Sequence, residues 1–177
     1  QVTEGSEWMP QTSKNENTIQ FNYFMGDQLI NIKYRDGRKN FKLYKGAEKV
    51  FYNINSVVGY DWCVVVEGEM DVLALHEAGI KNAISVPNGA TLNSNNLDYL
   101  DNCIDYLDDK VKIVLAVDAD DAGQALKQEF IRRLGAEVCF LVDFNGQKDA
   151  NEYLVENGAA ALRDAIHSAT QVPLEGV

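Results

Sequence analysis

Three short acidic segments carry the residues of this chain best suited to chemistry. Glu67-Gly68-Glu69-Met70-Asp71 follows the apolar run WCVVV, Asp118-Ala119-Asp120-Asp121 follows KIVLAV, and Gln147-Lys148-Asp149-Ala150-Asn151-Glu152 comes after EVCFLV. Carboxylates gathered in one crevice raise the cost of ionising one another, so such a cluster calls for a cation. With oxygen ligands and no His or Cys nearby, the ion selected is a hard divalent one: Mg²⁺, with Mn²⁺ as substitute, held by one or two carboxylates plus water and phosphate oxygens. A site of that kind suits phosphoryl or nucleotidyl transfer. Each element also has a structural reading. Asp120 and Asp121 open a helix, where capping and the macrodipole favour acidic residues, and Asp149 opens another. Glu67 is harder to read that way, because it directly follows a buried strand and its neighbour Gly68 lets a ligand approach closely.

The elements that must position these residues are legible from hydrophobic patterning. From Trp62 onward, four continuous apolar runs (WCVVV, AISV, KIVLAV, EVCFLV) alternate with stretches of helical period: Leu97, Leu100, Ile104 and Leu107; Ala122, Leu126, Phe130 and Leu134; Leu162, Ala165, Ile166 and Ala169. Apolar strands without polar alternation, separated by amphipathic helices, predict a parallel sheet covered on both faces. Ligands of such sheets bind beyond the carboxyl ends of the strands, and three of the four ends deliver carboxylates. Before this body, residues 18–60 contain short β-branched and aromatic runs punctuated by Gly26-Asp27, Asp36-Gly37 and Gly46, which predicts a small antiparallel meander. Residues 1–17 are polar and read as a flexible lead-in, residues 61–170 as the main domain, and residues 171–177 as the start of a linker.

The chain has 177 residues, 46% hydrophobic and 24% charged, with a net charge of −11. These proportions fit a globular protein and exclude a disordered or fibrous one. No apolar run is long enough to span a membrane and no secretory signal is visible, so a cytoplasmic location is expected. Cys63, Cys103 and Cys139 are too few and too dispersed for a disulfide framework or a zinc knuckle. The overall charge repels polyanions. Against that background, Lys33–Lys49 holds seven basic and two acidic residues, a local balance of +5. Basic residues on small strands are usually solvated; beside a metal site they also make a cradle for triphosphate or template backbone. The acidic run from Asp98 to Asp109 reads as solvated surface, and His76 and His167 carry no motif.

The glutamate after the first strand of the body, within VVVEGEMD, and the DxD of Asp118 and Asp120, within VLAVDADDAG, resemble the Toprim fold family. The order YRDG and KNFK, EGEMD, SVPNGA, DADDAG, KDANEYL is similar to the RNA polymerase domain of phage-type primase-helicases, a group related to bacterial primases and the mitochondrial replicative helicase. The resemblance covers roughly residues 30–177. It implies an α/β fold: a Toprim-like parallel sheet flanked by helices, preceded by a small, mainly antiparallel basic subdomain. It also implies Mg²⁺ bound by Glu67, Asp118 and Asp149, with Asp120 and Asp71 completing the acidic site. Glu67, Asp118 and Asp120 become the catalytic candidates, and Glu67 is alternatively a general base. Lys39 and Lys42, in KNFK, become contacts to nucleotide or template, together with Arg35 and Lys148.

The implied activity is that of a DNA primase: a metal-dependent nucleotidyl transferase making short RNA primers on single-stranded DNA from nucleoside triphosphates. Its implied partner is a helicase domain or a replicative helicase, and no membrane. The chain lacks a four-cysteine zinc module and a GxxxxGK[ST] loop, so it reads as one domain of a larger primase-helicase. A Toprim nuclease and a non-catalytic module binding single-stranded DNA or a replisome partner are the alternatives. A phosphoacceptor receiver domain leaves the KDANE element unexplained.

Overall fold

The computed structural model of the chain describes residues 1–89 and 97–174. Ala90, which closes the SVPNGA segment, and residues 175–177 of the expected linker lie outside the described residues.

Four strands, β1 (Val2–Met9), β2 (Lys14–Met25), β3 (Gln28–Asp36) and β4 (Phe41–Leu43), form an antiparallel sheet in sequence order. Gly26, at φ 60°, supplies the left-handed backbone that the two-residue loop between β2 and β3 requires. Side chains bridge the two edges of this sheet: Lys42 of β4 pairs with Glu7 of β1 at 2.6 Å and donates to the Trp8 carbonyl at 2.7 Å. Residues 1–17 are therefore not a flexible lead-in. They form β1 and the start of β2. β1 is an edge strand with only Met9 fully buried, so it lacks the apolar alternation that reveals a strand; its order comes from the backbone ladder to β2.

The second sheet has the order β6-β5-β7-β8-β9. β5 (Trp62–Val66), β6 (Ala83–Ser85), β7 (Lys112–Leu115) and β8 (Cys139–Leu141) are parallel, as their unbroken apolar runs predict. β9 (Thr170–Gln171) adds an antiparallel edge, so Gln171 belongs to the sheet and not to a linker. The flanking helices are α1 (Glu69–Glu77), α2 (Asp98–Asn102), α3 (Ile104–Leu107), α4 (Asp121–Leu134), α5 (Ala150–Asn157) and α6 (Ala159–His167). One period expected over Leu97–Leu107 is split at Cys103. Leu97, Leu100 and Leu107 are buried but Ile104 is exposed, and the Asn102 side chain is tied to the Lys49 carbonyl at 2.9 Å.

A continuous core joins the two sheets. Phe21 and Tyr23 of β2 pack on Tyr52, with ring centroids 5.8 and 5.3 Å apart, and Tyr52 exchanges backbone hydrogen bonds with Ser85 of β6. The three cysteines are free and buried, as expected of apolar side chains. Among the described residues, no helix is long and apolar enough to cross a membrane.

Candidate metal centre and the adjoining cleft

The carboxyl ends of β5, β7 and β8 converge, and each delivers its acidic segment to the same place. Carboxylate oxygens of Asp71, Asp118 and Asp149 lie within 4.8 Å of one another. Asp71 sits in the first turn of α1, Asp118 in the loop after β7, and Asp149 at the N-cap of α5. Sequence positions as distant as 71 and 149 meet because the strands are neighbours in a parallel sheet.

The surroundings make this cluster costly without a cation. Asp71 is buried and accepts a hydrogen bond from the Asn151 backbone at 3.0 Å. Burial, reinforced by the charges of Asp149, Asp118 and Glu67, pushes its carboxyl up to about 8. Burial raises Asp118 to about 6 against the opposing pull of Lys148, whose ammonium stands 3.6 Å away; Asp118 in turn raises the Lys148 pKa. A single exposed lysine does not neutralise three carboxylates. The all-oxygen donor set and the charge deficit both fit a hard divalent ion.

The other two acidic candidates hold the loops. Glu67 Oε2 accepts the backbone N–H of Asp118, so the two candidates from β5 and β7 are directly joined. Asp120 caps α4 by accepting from Gly123 N at 2.8 Å, and Asp149 also caps α5, accepting from Glu152 N at 2.9 Å. Glu152 reaches back to the Lys148 N–H at 2.8 Å. The structural reading of Asp120 and Asp149 as caps is thus correct, and for Asp149 it coexists with a place in the cluster. Gly123 packs against this junction: a Cβ there runs into the Asp118 carbonyl oxygen and comes within 2.8 Å of Glu67 Oε2. Gly123→Ala is expected to destabilise the fold by ~1–3 kcal/mol through overpacking, and to weaken Mn²⁺ binding. Thermal denaturation and a metal titration check both; an unshifted melting temperature contradicts the close packing.

Beside the centre lies a cleft of about 420 Å³ between the two sheets, lined by Lys33, Phe41, Lys42, Glu67, Glu69 and the Pro87–Gly89 loop after β6. The SVPNGA segment therefore contributes a wall. Lys33 was not singled out by the sequence beyond its charge, yet it anchors this cleft. Its ammonium lies 2.9 Å from Glu69 Oε1, and Tyr23 donates to the same carboxylate. Lys33 and Glu69 are both buried. Burial and the Glu69 charge drive the Tyr23 phenol well above its ordinary range. The triad links β2 and β3 to the first turn of α1, which carries Asp71.

The four predicted nucleotide or template contacts do not form one patch. Lys148 stands at the metal centre and Lys42 at the cleft, where it is already paired with Glu7. Arg35 and Lys39 line a second cleft of about 650 Å³ on the antiparallel sheet, with Lys39 on a turn built by Asp36.

Residues 64–154, slightly more than half of the chain, match the family model described as Toprim-like. The chain belongs to the Toprim-like family. This Toprim-like chain is 38% identical over 177 residues to the primase homolog protein of Arabidopsis thaliana, covering 90% of this chain and 52% of that one. It is 35% identical over 179 residues to the Twinkle homolog protein, chloroplastic/mitochondrial, of the same plant, covering 92% and 25%. The chain spans about half the length of the first of these relatives and a quarter of the second. The primase fragment of the bacteriophage T7 primase-helicase superposes with a TM-score of 0.75 at 21% identity, over 92% of this chain and 66% of that one. That likeness confirms the expected fold, a Toprim-like parallel sheet flanked by helices beside a small antiparallel subdomain.

Proposed function

We propose that this chain is the nucleotidyl-transfer core of a DNA primase, joining nucleoside triphosphates into short RNA primers on single-stranded DNA, within a protein that works with a helicase domain or replicative helicase. The observation that carries the proposal is the convergence of Asp71, Asp118 and Asp149 on one point beside a cleft walled by Lys33 and Lys42. The primase homolog among its relatives supports the same reading.

In this reading Asp71, Asp118 and Asp149 hold Mg²⁺, or Mn²⁺ in its place. The bound ion supplies charge neutralisation of the triphosphate and alignment of a 3′-hydroxyl with the α-phosphate. Glu67 keeps the Asp118 loop in register through the Asp118 N–H, and Asp120 fixes the start of α4. Lys148 meets a phosphate at the centre, while Arg35, Lys39 and Lys42 face the polynucleotide from the antiparallel sheet. Phosphate recognition by such cations offsets the repulsion of a chain with net charge −11.

The test is incorporation of labelled ribonucleotides on single-stranded DNA, with Mg²⁺ or Mn²⁺ and with EDTA. Metal-dependent product that disappears in Asp118→Ala, with the melting temperature retained, is expected. Full activity of Asp118→Ala removes Asp118 from the mechanism. Cleavage of the DNA in place of nucleotide joining makes the chain a Toprim nuclease. Salt-sensitive binding without metal dependence or product makes it a binding module.

A further inference from the structure

Phe41 is an apolar ring left in an unusual place. It lies on β4, the three-residue edge strand of the antiparallel sheet, and is 45% exposed. Its backbone is fixed by pairing with Arg35 of β3 and by the Gln11 side chain, which donates to the Phe41 carbonyl at 2.8 Å. The side chain projects on the same face of the sheet as Lys33 and Arg35, because residues paired across strands share a face. Both cations stand near it, Lys33 Nζ 5.1 Å and Arg35 Cζ 6.0 Å from the ring centroid. The ring lines the cleft beside the metal centre, and Arg35, its cross-strand partner, lines the second cleft, so the paired residues stand one at each cleft. Arg35 also has a buried Nε with no hydrogen-bond partner.

We propose that Phe41 is a stacking platform for one base of a single-stranded DNA template, and that the strand crosses from the metal-side cleft over this ring into the cleft lined by Arg35 and Lys39. The inference rests on the polymerase reading for the identity of the strand and adds to it a binding residue and a path. An exposed aromatic beside a cation is the arrangement that binds single strands without reading sequence: the ring takes a base face and Arg35 takes the backbone, while Lys33, buried and paired with Glu69, braces the ring from below. The sequence balance of +5 between Lys33 and Lys49, with Lys33 and Lys42 paired to Glu69 and Glu7, still leaves a basic stretch that attracts a polyanion in an otherwise acidic chain.

The test uses the full chain and a fluorescein-labelled single-stranded DNA, with binding read by anisotropy in the absence of nucleoside triphosphates. Phe41→Ala is expected to weaken binding roughly tenfold, with Phe41→Tyr close to the parent protein. An oligonucleotide series carrying one abasic position at a time locates the stacked base. In the parent protein one position loses affinity, and in Phe41→Ala that loss disappears. Thermal denaturation of both variants confirms that the fold is kept. Unchanged affinity in Phe41→Ala, as for a ring that serves a protein contact, overturns the proposal. So does an abasic penalty that survives in the variant, or one seen only with an RNA oligonucleotide. A chain that shows the Phe41-dependent stack but joins no nucleotides sinks the polymerase reading alone; one that joins nucleotides without the stack sinks this inference alone.

Discussion

On the proposed nucleotidyl-transfer reading, Asp71→Asn is expected to lower metal-dependent nucleotide incorporation by at least about a hundredfold, while raising the melting temperature of the protein in EDTA. The two effects have one cause. Asp71 is buried between Asp118 and Asp149, and without a cation its charge is a burden on the fold. Because its carboxyl is raised to about 8 when folded and titrates near 3.8 when unfolded, the folded chain binds the extra proton between those values. Stability contributed by that proton is full below the unfolded value and is lost as pH rises towards about 8. From pH 5 to 8 the loss is ~2–4 kcal/mol, on the order of one kcal/mol per unit. Asn keeps a carbonyl for the Asn151 N–H and has no charge to protonate, so the variant's pH dependence is flatter. Thermal denaturation from pH 5 to 8 in EDTA, followed by the same series with Mg²⁺, checks this. A variant less stable than the parent at pH 8 in EDTA contradicts it.

Lys33→Ala costs ~3–5 kcal/mol of stability, which for a chain of this size lowers the melting temperature by roughly 10 °C. The loss comes from the partner left behind. Glu69 is buried on the first turn of α1 and, once the ammonium is removed, keeps the Tyr23 hydroxyl as its partner across the two sheets. A buried carboxylate in that position must either remain charged or take up a proton, and both are unfavourable. Pairing the change with Glu69→Gln removes the stranded charge while preserving an acceptor for Tyr23. The double variant Lys33→Ala, Glu69→Gln is therefore expected to recover most of the loss. Denaturant titration of the two single variants and the double variant gives the coupling directly. A Lys33→Ala penalty comparable with that of an exposed ion pair contradicts a structural role for the triad.

The parallel sheet was legible because its strands are buried on both faces and so appear as unbroken apolar runs. The candidate site was legible in part. Its acidic segments follow those runs directly, and the topology brings the strand ends together. Which carboxylates point inward was not legible: Glu67 lies just before α1 and Asp71 four residues on in its first turn, and only folding shows Asp71 in the cluster while Glu67 engages the Asp118 backbone. β1 was missed because an edge strand needs no apolar face. β3 misled in a different way. Its polar residues Asn31 and Lys33 alternate with Ile30 and Ile32 as in a half-solvated strand, yet both are buried, because the α/β body covers the face expected to meet water. A pairing such as Lys33 with Glu69, separated by 36 positions, leaves no local signature in either segment.

The most direct test of the metal centre is anomalous diffraction from a crystal of the protein soaked with Mn²⁺. The account predicts a peak bounded by Asp71, Asp118 and Asp149, at ligand distances of about 2.0–2.3 Å, and its disappearance in Asp71→Asn. A fully soaked crystal with no peak at that point, or with Mn²⁺ only on the exposed acidic surface of α2 and α3, contradicts it.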